Sequence, residues 1–365
     1  MNYKIPIYKP NLSGNEKKYV NDCLDSSWIS SRGGYIKKFE DEFARYIGIN
    51  HATTVCNGTC ALHLALLTLG IGEGDEVIVP TFTYIASVTP IVYTGSTPVF
   101  VDSFEETWQM DPDDVRKKIT GKTKAIMAVH IYGHPCRLDE LRKIADEHNI
   151  FLIEDCAESF GSKFKDKQTG TFGDIACFSF YGNKTMTTGE GGMVITNDET
   201  LYDRAYHFKM HGLAKYREYW HDVVGYNYRM TNICAAIGLA QIERAGQTIE
   251  AKRKLAFKYN ELLKLLPVTP NYETKDVFHT YWMYSILVEN ADIREELRNH
   301  MRGDGIETRP TFYPIHTMPH FAGKYQKHPI AEKIGWNGIN LPSWPDLTDE
   351  EVGYICKSIK AFYHK

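Results

Sequence analysis

The stretch "DIACFSFYGNKTMTTGEGG", residues 174–192, joins an apolar segment to a polar one. After Asp174 its first half is almost entirely apolar, which predicts a strand covered on both faces. Its second half, from residue 182, holds four glycines, three threonines and Lys184, a composition typical of a loop. In open α/β sheets, ligands bind beyond the carboxyl ends of the strands. The stretch therefore predicts an α/β fold with Lys184 at its ligand-binding edge.

Six other segments of the first 200 residues have the same strand-like composition. Helical patterns over 57–70 and 137–148 separate some of them, as the crossovers of a parallel sheet require. We therefore expect a mainly parallel sheet sandwiched by helices, an α/β fold. The seven predicted strands are 51–56, 76–80, 97–102, 124–133, 150–155, 174–180 and 192–197.

After residue 200 the patterns become mainly helical, and the change predicts a second, smaller domain. We expect residues 1–250 to form a large α/β domain with an N-terminal arm, and residues 251–365 a small α+β domain. No linker rich in Pro, Gly or Ser separates them, so the two parts should share a cleft. Helices are predicted over 200–211, 231–245, 249–266, 293–305 and 348–363, and a strand over 281–288.

Composition excludes several classes of function. The chain has 365 residues, a net charge of −4 and 24% charged residues, without the basic run that a nucleic-acid partner would need. The N-terminus has no signal-like apolar core, and apolar runs such as 125–129 are too short for a bilayer. We expect a cytoplasmic protein without nucleic-acid or membrane contacts.

Eight cysteines in a chain of this length do not indicate a disulfide scaffold. Cys56 and Cys60 are closest in sequence, but no second pair or histidine pattern accompanies them. We expect no metal site, and most of the thiols should be small core residues.

Polar residues follow three of the predicted strands. Asp155 ends a very apolar strand, where a carboxylate needs a compensating partner; the alternatives are a helix cap or salt bridge and a contact with a cationic ligand atom. Gly58 and Thr59 lie at a strand-to-helix turn, where free amides can bind an anion. Ser179 ends the strand before Lys184. These residues should lie close together.

Lys184 completes a set of groups that one cofactor requires. A loop lysine is ordinarily solvated, and the chain has neither GxGxxG nor a Walker motif. Pyridoxal phosphate needs an anion site, a carboxylate beside its ring nitrogen and a Schiff-base lysine. Asp155 would keep that nitrogen protonated, and Lys184 would form the Schiff base and carry the proton.

Five motifs occur in an order that resembles the DegT/StrS family of sugar aminotransferases. The resemblance covers essentially the whole chain, and it implies the fold of aspartate aminotransferase, PLP fold type I, with pyridoxal 5'-phosphate as cofactor. The motifs are "CNGT" (56–59), "EVIVPTFTYIAS" (76–87), "IEDCAESFGS" (153–162), "FSFYGNKTMTTGEGG" (178–192) and "GYNYRMTNICAAIGLAQI" (225–242).

The resemblance implies a role for each matching cofactor residue. Lys184 is implied as the Schiff-base lysine and Asp155 as the partner of the pyridinium nitrogen. Tyr84 lies where the family has a ring stacked on the cofactor, although a core tyrosine is the alternative. The phosphate is implied to contact Gly58, Thr59 and Ser179.

Two further positions bear on the cofactor. Asn227 resembles a family asparagine that reaches the phosphate of the neighbouring subunit, which implies a homodimer with shared active sites, or a tetramer that contains it. Glu158 stands where many relatives have Gln or His. A carboxylate there must be protonated or otherwise compensated.

Substrate contacts are implied for six residues. Arg309 could pair with a diphosphate or form a salt bridge at a strand edge. His211 and His316 lie beside apolar or aromatic residues and could instead pack. The six residues are Trp28, Ser30, His211, Glu307, Arg309 and His316, while Glu190 has no assigned role.

Three segments, 24–40, 279–288 and 307–319, are most similar to family members that aminate C4 of GDP-4-keto-6-deoxy-D-mannose with L-glutamate, for O-antigen synthesis. One alternative is a 3-dehydratase of the same fold, but those relatives have histidine at the position of Lys184. A non-catalytic sensor of this fold is the other alternative.

Overall fold

A computed structural model describes residues 3–324 and 326–364 of the chain. No helix among these residues has the length and apolar composition needed to cross a membrane. The helices are α1 (Glu16–Asp25), α2 (Gly34–Ile47), α3 (Gly58–Leu69), α4 (Thr89–Tyr93), α5 (Pro112–Lys118), α6 (Leu138–His148), α7 (Glu199–Lys209), α8 (Asn232–Ile242), α9 (Ala245–Leu263), α10 (Ala291–Gly303), α11 (Pro329–Asn337) and α12 (Asp349–Tyr363). Short 3-10 turns occur at Ile85–Ser87, Ile131–Gly133, Ile315–Thr317 and Ala322–Lys324.

The strands form three sheets. They are β1 (His51–Val55), β2 (Glu76–Pro80), β3 (Thr97–Val101), β4 (Thr123–Val129), β5 (Phe151–Asp155), β6 (Lys163–Phe164), β7 (Lys167–Gln168), β8 (Ile175–Ser179), β9 (Gly192–Thr196), β10 (Thr269–Pro270), β11 (Val277–Phe278), β12 (Tyr284–Leu287), β13 (Arg309–Pro310) and β14 (Gly338–Leu341). The largest sheet has seven strands in the order β1-β9-β8-β5-β4-β2-β3. These are the seven strands predicted from the first 200 residues.

The seven-stranded sheet is mainly parallel, as predicted. Neighbouring strands from β8 through β5, β4 and β2 to β3 all pair in parallel. Strand β9 pairs antiparallel with both β1 and β8. The carboxyl ends of β5 and β8 therefore lie side by side at one edge of the sheet.

Helices cover both faces of this sheet, and β5 shows why. Successive side chains of a strand point to opposite faces. Ile153 packs in a core that contains Leu62 and Leu66 of α3, whereas Leu152 packs with Leu141 of α6 on the other face. A strand between two helical layers must be apolar on both sides, which is why residues 150–155 carry almost no polar side chain before the two acids.

A second core lies in the C-terminal part of the chain. The antiparallel sheet β10-β12-β14-β13 packs against α9, α10 and α12 through residues that include Ile286, Tyr259, Leu297 and Ile355. Ile5 from the N-terminal segment belongs to the same core. Because α9 runs continuously across residue 250, the domain boundary placed there stays a proposal.

Several element bounds differ from the predicted ones. Strand β12 begins at Tyr284 instead of residue 281, because Tyr281 has a left-handed backbone with φ of 50° that leaves the strand ladder. Helix α9 begins at Ala245, four residues before the predicted start. Helices α1 and α2 were not predicted. In α1 only Glu16 and Cys23 are buried, so its apolar pattern is weak.

Candidate active site

A cavity of about 630 Å³ opens at the carboxyl ends of β5 and β8. It lies between the large sheet and the C-terminal part of the chain, from which Trp282 and Phe312 contribute to its wall. Seven residues predicted for the cofactor or for catalysis line it together: Gly58, Thr59, Tyr84, Asp155, Glu158, Ser179 and Lys184. Glu190 also lines this cavity, at an exposed position.

Asp155 is a buried carboxylate at the end of β5. One of its oxygens accepts a hydrogen bond of 2.8 Å from the Ser87 hydroxyl, and the other accepts one of 3.0 Å from the Ala157 amide. Burial raises the pKa of Asp155 above its usual value, although these hydrogen bonds oppose the rise. A cationic group in the cavity would relieve this cost of burial.

Lys184 extends into the same cavity from the loop between β8 and β9. Its ammonium nitrogen lies 3.7 Å from the centroid of the Trp282 ring and 3.3 Å from Glu158 Oε1. Two side chains hold the backbone of this loop: the Tyr8 hydroxyl donates to the Lys184 carbonyl at 2.8 Å, and Trp282 Nε1 donates to the Asn183 carbonyl at 2.7 Å. The lysine is therefore fixed at its backbone while its amine stays within the cavity.

Glu158 receives the compensation that a buried carboxylate requires. Besides the Lys184 amine, the backbone amide of Tyr132 donates to Glu158 Oε2 at 2.8 Å. Burial raises the pKa of Glu158, while the Lys184 charge and the amide partly oppose this rise. Glu158 is thus held beside the Lys184 amine within the cavity.

The start of α3 forms an anion-binding turn on the same edge. The Asn57 side chain caps the helix by accepting the Cys60 amide hydrogen at 2.8 Å. The helix start otherwise leaves amides without helical partners, at Gly58 and Thr59. A Cβ on Gly58 would lie 2.6 Å from the Cβ of Ser179, so only glycine allows this close approach. The turn and Ser179 together fit a phosphate group.

Aromatic rings form the remaining walls. Tyr84 is 56% exposed, and its ring lies 5.4 Å from that of Phe312. Trp282 and Tyr132 stack at 6.0 Å behind Lys184. Ser87, Trp282 and Phe312 were not singled out from the sequence, although each belongs to a segment that shares the resemblance. The sequence signal that could have identified them is a polar or aromatic residue within a segment that shares the resemblance.

Four predicted residues lie outside this cavity in the single chain. Asn227 is exposed and accepts a hydrogen bond of 2.9 Å from Arg229, whose guanidinium also lies 3.3 Å from the exposed His211 ring. The carbonyls of Trp28 and Ser30 both accept hydrogen bonds from Asn232, beside α8. Their contacts with cofactor or substrate stay predictions.

The remaining substrate candidates already have protein partners. The Glu307 carboxylate binds Arg309 at 2.6 Å and the Ile7 amide at 3.0 Å, while the Arg309 side chain is 63% exposed. His316 is buried and hydrogen bonds Thr81 at 2.7 Å. None of the three lines the cavity described above, and their contacts with a substrate stay predictions.

A buried group of possible metal ligands, His130, Glu154 and Cys156, lies behind Asp155. The two Glu154 oxygens accept backbone amides of the 170–173 turn at 2.7–2.8 Å. His130 Nδ1 accepts the Cys136 amide, and its Nε2 lies 3.2 Å from Glu154. These bonds already use the donor atoms of Glu154 and His130, so the group fastens the turn to β5.

Together the fold and the cavity define an enzyme of the class that depends on pyridoxal phosphate. Residues 10–360 match the DegT/DnrJ/EryC1/StrS aminotransferase family, and the chain belongs to this family. The predictions of the family, the fold class and the pyridoxal phosphate cofactor are thereby confirmed.

Relatives and solved structures similar to the chain match it over nearly its full length. It is 65% identical over 359 residues to GDP-perosamine synthase of Escherichia coli O157:H7, with 98% of each chain covered. It is 50% identical to GDP-perosamine synthase of Vibrio cholerae, with 99% of each covered. The PMP form of the sugar aminotransferase Spr1654 from Streptococcus pneumoniae superposes with a TM-score of 0.95 at 28% identity, covering 99% of each chain.

Asp155→Asn should flatten the pH dependence of stability in the cofactor-free protein. The folded-state pKa of Asp155 is raised, so the folded protein binds more protons than the unfolded one above about pH 4, the ordinary aspartate value. Stability therefore falls as the pH rises through the raised pKa, and the charged form opposes folding above it. Asp155→Asn removes this contribution and should stabilise the cofactor-free protein at pH 8 more than at pH 4.

The measurement is urea unfolding of the cofactor-free protein between pH 4 and pH 8, with the exposed Asp25→Asn as control. An Asp155→Asn profile parallel to that of the unsubstituted protein would show that the buried carboxylate does not carry this cost.

Proposed function

We propose that this enzyme transfers the amino group of L-glutamate to C4 of GDP-4-keto-6-deoxy-D-mannose, which yields GDP-perosamine for polysaccharide synthesis. The observation that carries the proposal is the 65% identity to a GDP-perosamine synthase over 98% of both chains. Lys184, Asp155 and the anion-binding turn line one cavity, so the groups that transamination requires are present together.

The residues of the cavity fit the cofactor in three places. The amides of Gly58 and Thr59, with Ser179, would hold its phosphate, and the absence of a Cβ at Gly58 keeps this turn open. Asp155 would pair with its ring nitrogen, since the carboxylate is buried, is directed by Ser87 and has no cationic side chain of the described residues at hydrogen-bond distance. Tyr84 would cover the ring. When bound, pyridoxal phosphate supplies an electron sink for the bond that breaks at the amino carbon.

Lys184 performs the proton transfers in this proposal. Its amine would hold the cofactor in the resting enzyme and, once free, would take a proton from one carbon and return it to another. Only the neutral amine can take the proton, and the ammonium form returns it. Glu158, 3.3 Å away and with a raised pKa, is placed to accept and return the extra proton of the ammonium form. Trp282 and Phe312 restrict water on this side of the cavity.

Both substrates would use this one cavity in turn. Glutamate leaves as 2-oxoglutarate after donating its nitrogen, and the keto sugar then receives it. Elimination at C3, the dehydratase alternative, belongs to relatives with histidine at the position of Lys184. The lysine in this chain therefore favours transamination, and it also argues against a sensor without catalysis.

Glutamate should bleach the yellow colour of the purified enzyme, and the GDP-linked 4-keto sugar should restore it. Each addition completes half of the proposed reaction and returns the cofactor to its other form. The measurement is visible absorbance during alternate additions.

Lys184→Ala should lose at least about a thousandfold in turnover, because the covalent and proton-transfer roles share one amine. The exposed Lys167→Ala serves as the matched control.

Persistent colour under saturating glutamate would contradict the choice of amino donor. Normal turnover by Lys184→Ala would contradict the role of the lysine.

We further infer a homodimer in which each active site takes residues from both chains. Asn227 is exposed in the single chain and lies outside the lining of its own cavity. The neighbouring segment exposes large apolar side chains, among them Tyr216 (73%), Tyr219 (92%) and Val224 (85%). Exposed apolar surface of this kind is typical of an interface.

We also place the enzyme in the cytoplasm, in keeping with a nucleotide-linked substrate and eight unpaired cysteines.

Mixing two inactive variants should restore activity if sites are shared. A dimer of one Lys184→Ala chain and one Asn227→Ala chain contains one doubly substituted site and one intact site. Random pairing should therefore recover about a quarter of the unsubstituted activity, because half of the dimers are hybrids with one of two sites intact. The measurement is turnover at limiting pyridoxal phosphate after co-refolding. Activity no higher than the mean of the two variants would contradict shared sites.

A further inference from the structure

Lys252 of α9 is a buried lysine that carries no role in the reaction above. The residue is 1% exposed, and its ammonium group donates hydrogen bonds to two backbone carbonyls, at 3.1 Å to Trp282 and at 2.8 Å to Ser343. Burial lowers the pKa of Lys252 to about 7, and no carboxylate among the described residues offsets this effect. An ammonium group buried in this way is costly, so its contacts indicate what it does.

The first contact fixes the backbone of a residue that binds the loop of Lys184. Trp282 Nε1 donates to the Asn183 carbonyl at 2.7 Å, and the centroid of the Trp282 ring lies 3.7 Å from the Lys184 ammonium nitrogen. The same tryptophan thus contacts the loop both at its backbone and at the reactive amine. The bond from Lys252 to the Trp282 carbonyl therefore holds the residue whose ring faces this amine.

Two further contacts join Lys252 to the N-terminal segment. Its nitrogen lies 5.5 Å from the centroid of the Tyr8 ring, within the range of a cation–π interaction. The Tyr8 hydroxyl donates to the Lys184 carbonyl at 2.8 Å. The Ser343 amide donates to the Ile7 carbonyl at 3.1 Å, so the second carbonyl that Lys252 binds belongs to a residue that pairs with this segment.

We propose that Lys252 is a positioning residue, which holds the amine of Lys184 in the cavity through Tyr8 and Trp282. These two residues come from segments far apart in the chain, and one ammonium group can serve both because it donates in several directions. Lys252 is not among the residues that line the cavity, so it acts on the reaction only through its neighbours. Its effect on turnover rests on the covalent and proton-transfer roles proposed above for Lys184.

Removing the ammonium group should loosen the loop and leave the C-terminal core packed. Methionine is close to lysine in length and volume and has no donor. In Lys252→Met the carbonyls of Trp282 and Ser343 would therefore lose a shared partner, while α9 keeps a long side chain at this position. The Lys184 amine would then leave its observed position more often and meet an aldehyde in the cavity less often.

The test measures the reactivity of the Lys184 amine apart from transamination. The cofactor-free protein is mixed with pyridoxal, an aldehyde without the phosphate, and imine formation is followed by absorbance. Reduction with borohydride and peptide mass spectrometry then quantify the product at Lys184. Lys252→Met should react there at least about tenfold more slowly than the unsubstituted protein, because the amine is displaced. Lys254→Met, exposed on the same helix, should react at the unsubstituted rate.

Tyr8→Phe is a second variant, which leaves Lys252 in place. It removes the hydroxyl that binds the Lys184 carbonyl and keeps the ring near Lys252. It should slow the reaction at Lys184 at least about threefold, the value of one hydrogen bond. Its loss should not multiply with that of Lys252→Met, because both act on the same contact. Urea unfolding at pH 7 establishes that each variant is folded.

An unchanged rate at Lys184 in folded Lys252→Met would overturn the proposal. An unchanged rate in Tyr8→Phe, or losses that multiply in the double variant, would overturn it as well, since the proposed path runs through Tyr8. No step of the test uses glutamate or the sugar, so a failed transamination assay leaves these results interpretable.

Discussion

The site is built around two buried carboxylates, Asp155 and Glu158, beside a single amine, Lys184. Two carboxylates share one amine, and burial raises the pKa of both acids because it disfavours their charged forms. A protonated ring nitrogen beside Asp155 would offset this electrostatic cost. In the proposed function, relief of this electrostatic cost contributes to the affinity for the cofactor.

The sheet determines how these charges meet. Adjacent strand residues face opposite ways, so Glu154 points to the turn at 170–173 while Asp155 points into the cavity. Strand β8 runs parallel to β5 and brings Ser179 and the loop of Lys184 to the same edge. The start of α3 approaches Ser179, so the anion-binding turn lies at the end of β8. The Lys184 amine instead lies 3.3 Å from Glu158.

Much of this arrangement can be predicted from the sequence. Strands covered on both faces appear in it as apolar runs, and the polar residues that follow neighbouring parallel strands lie at the same edge of the sheet. Ser87 and Phe312 were not predicted as site residues, because they reach the cavity only through the packing of segments that are far apart in the chain. Helix α1 was not predicted, because it buries few side chains and its apolar pattern is therefore weak. Asn227, Trp28 and Arg309 lie outside the single-chain cavity, so their roles depend on a partner or substrate.

The most direct measurement supplies ¹⁵N-labelled glutamate and GDP-4-keto-6-deoxy-D-mannose to the holoenzyme and examines the purified sugar by NMR. The account predicts ¹⁵N bonded to C4, with the oxygen at C3 retained. Label at C3, or a product that has lost its C3 oxygen and contains no ¹⁵N, would contradict it.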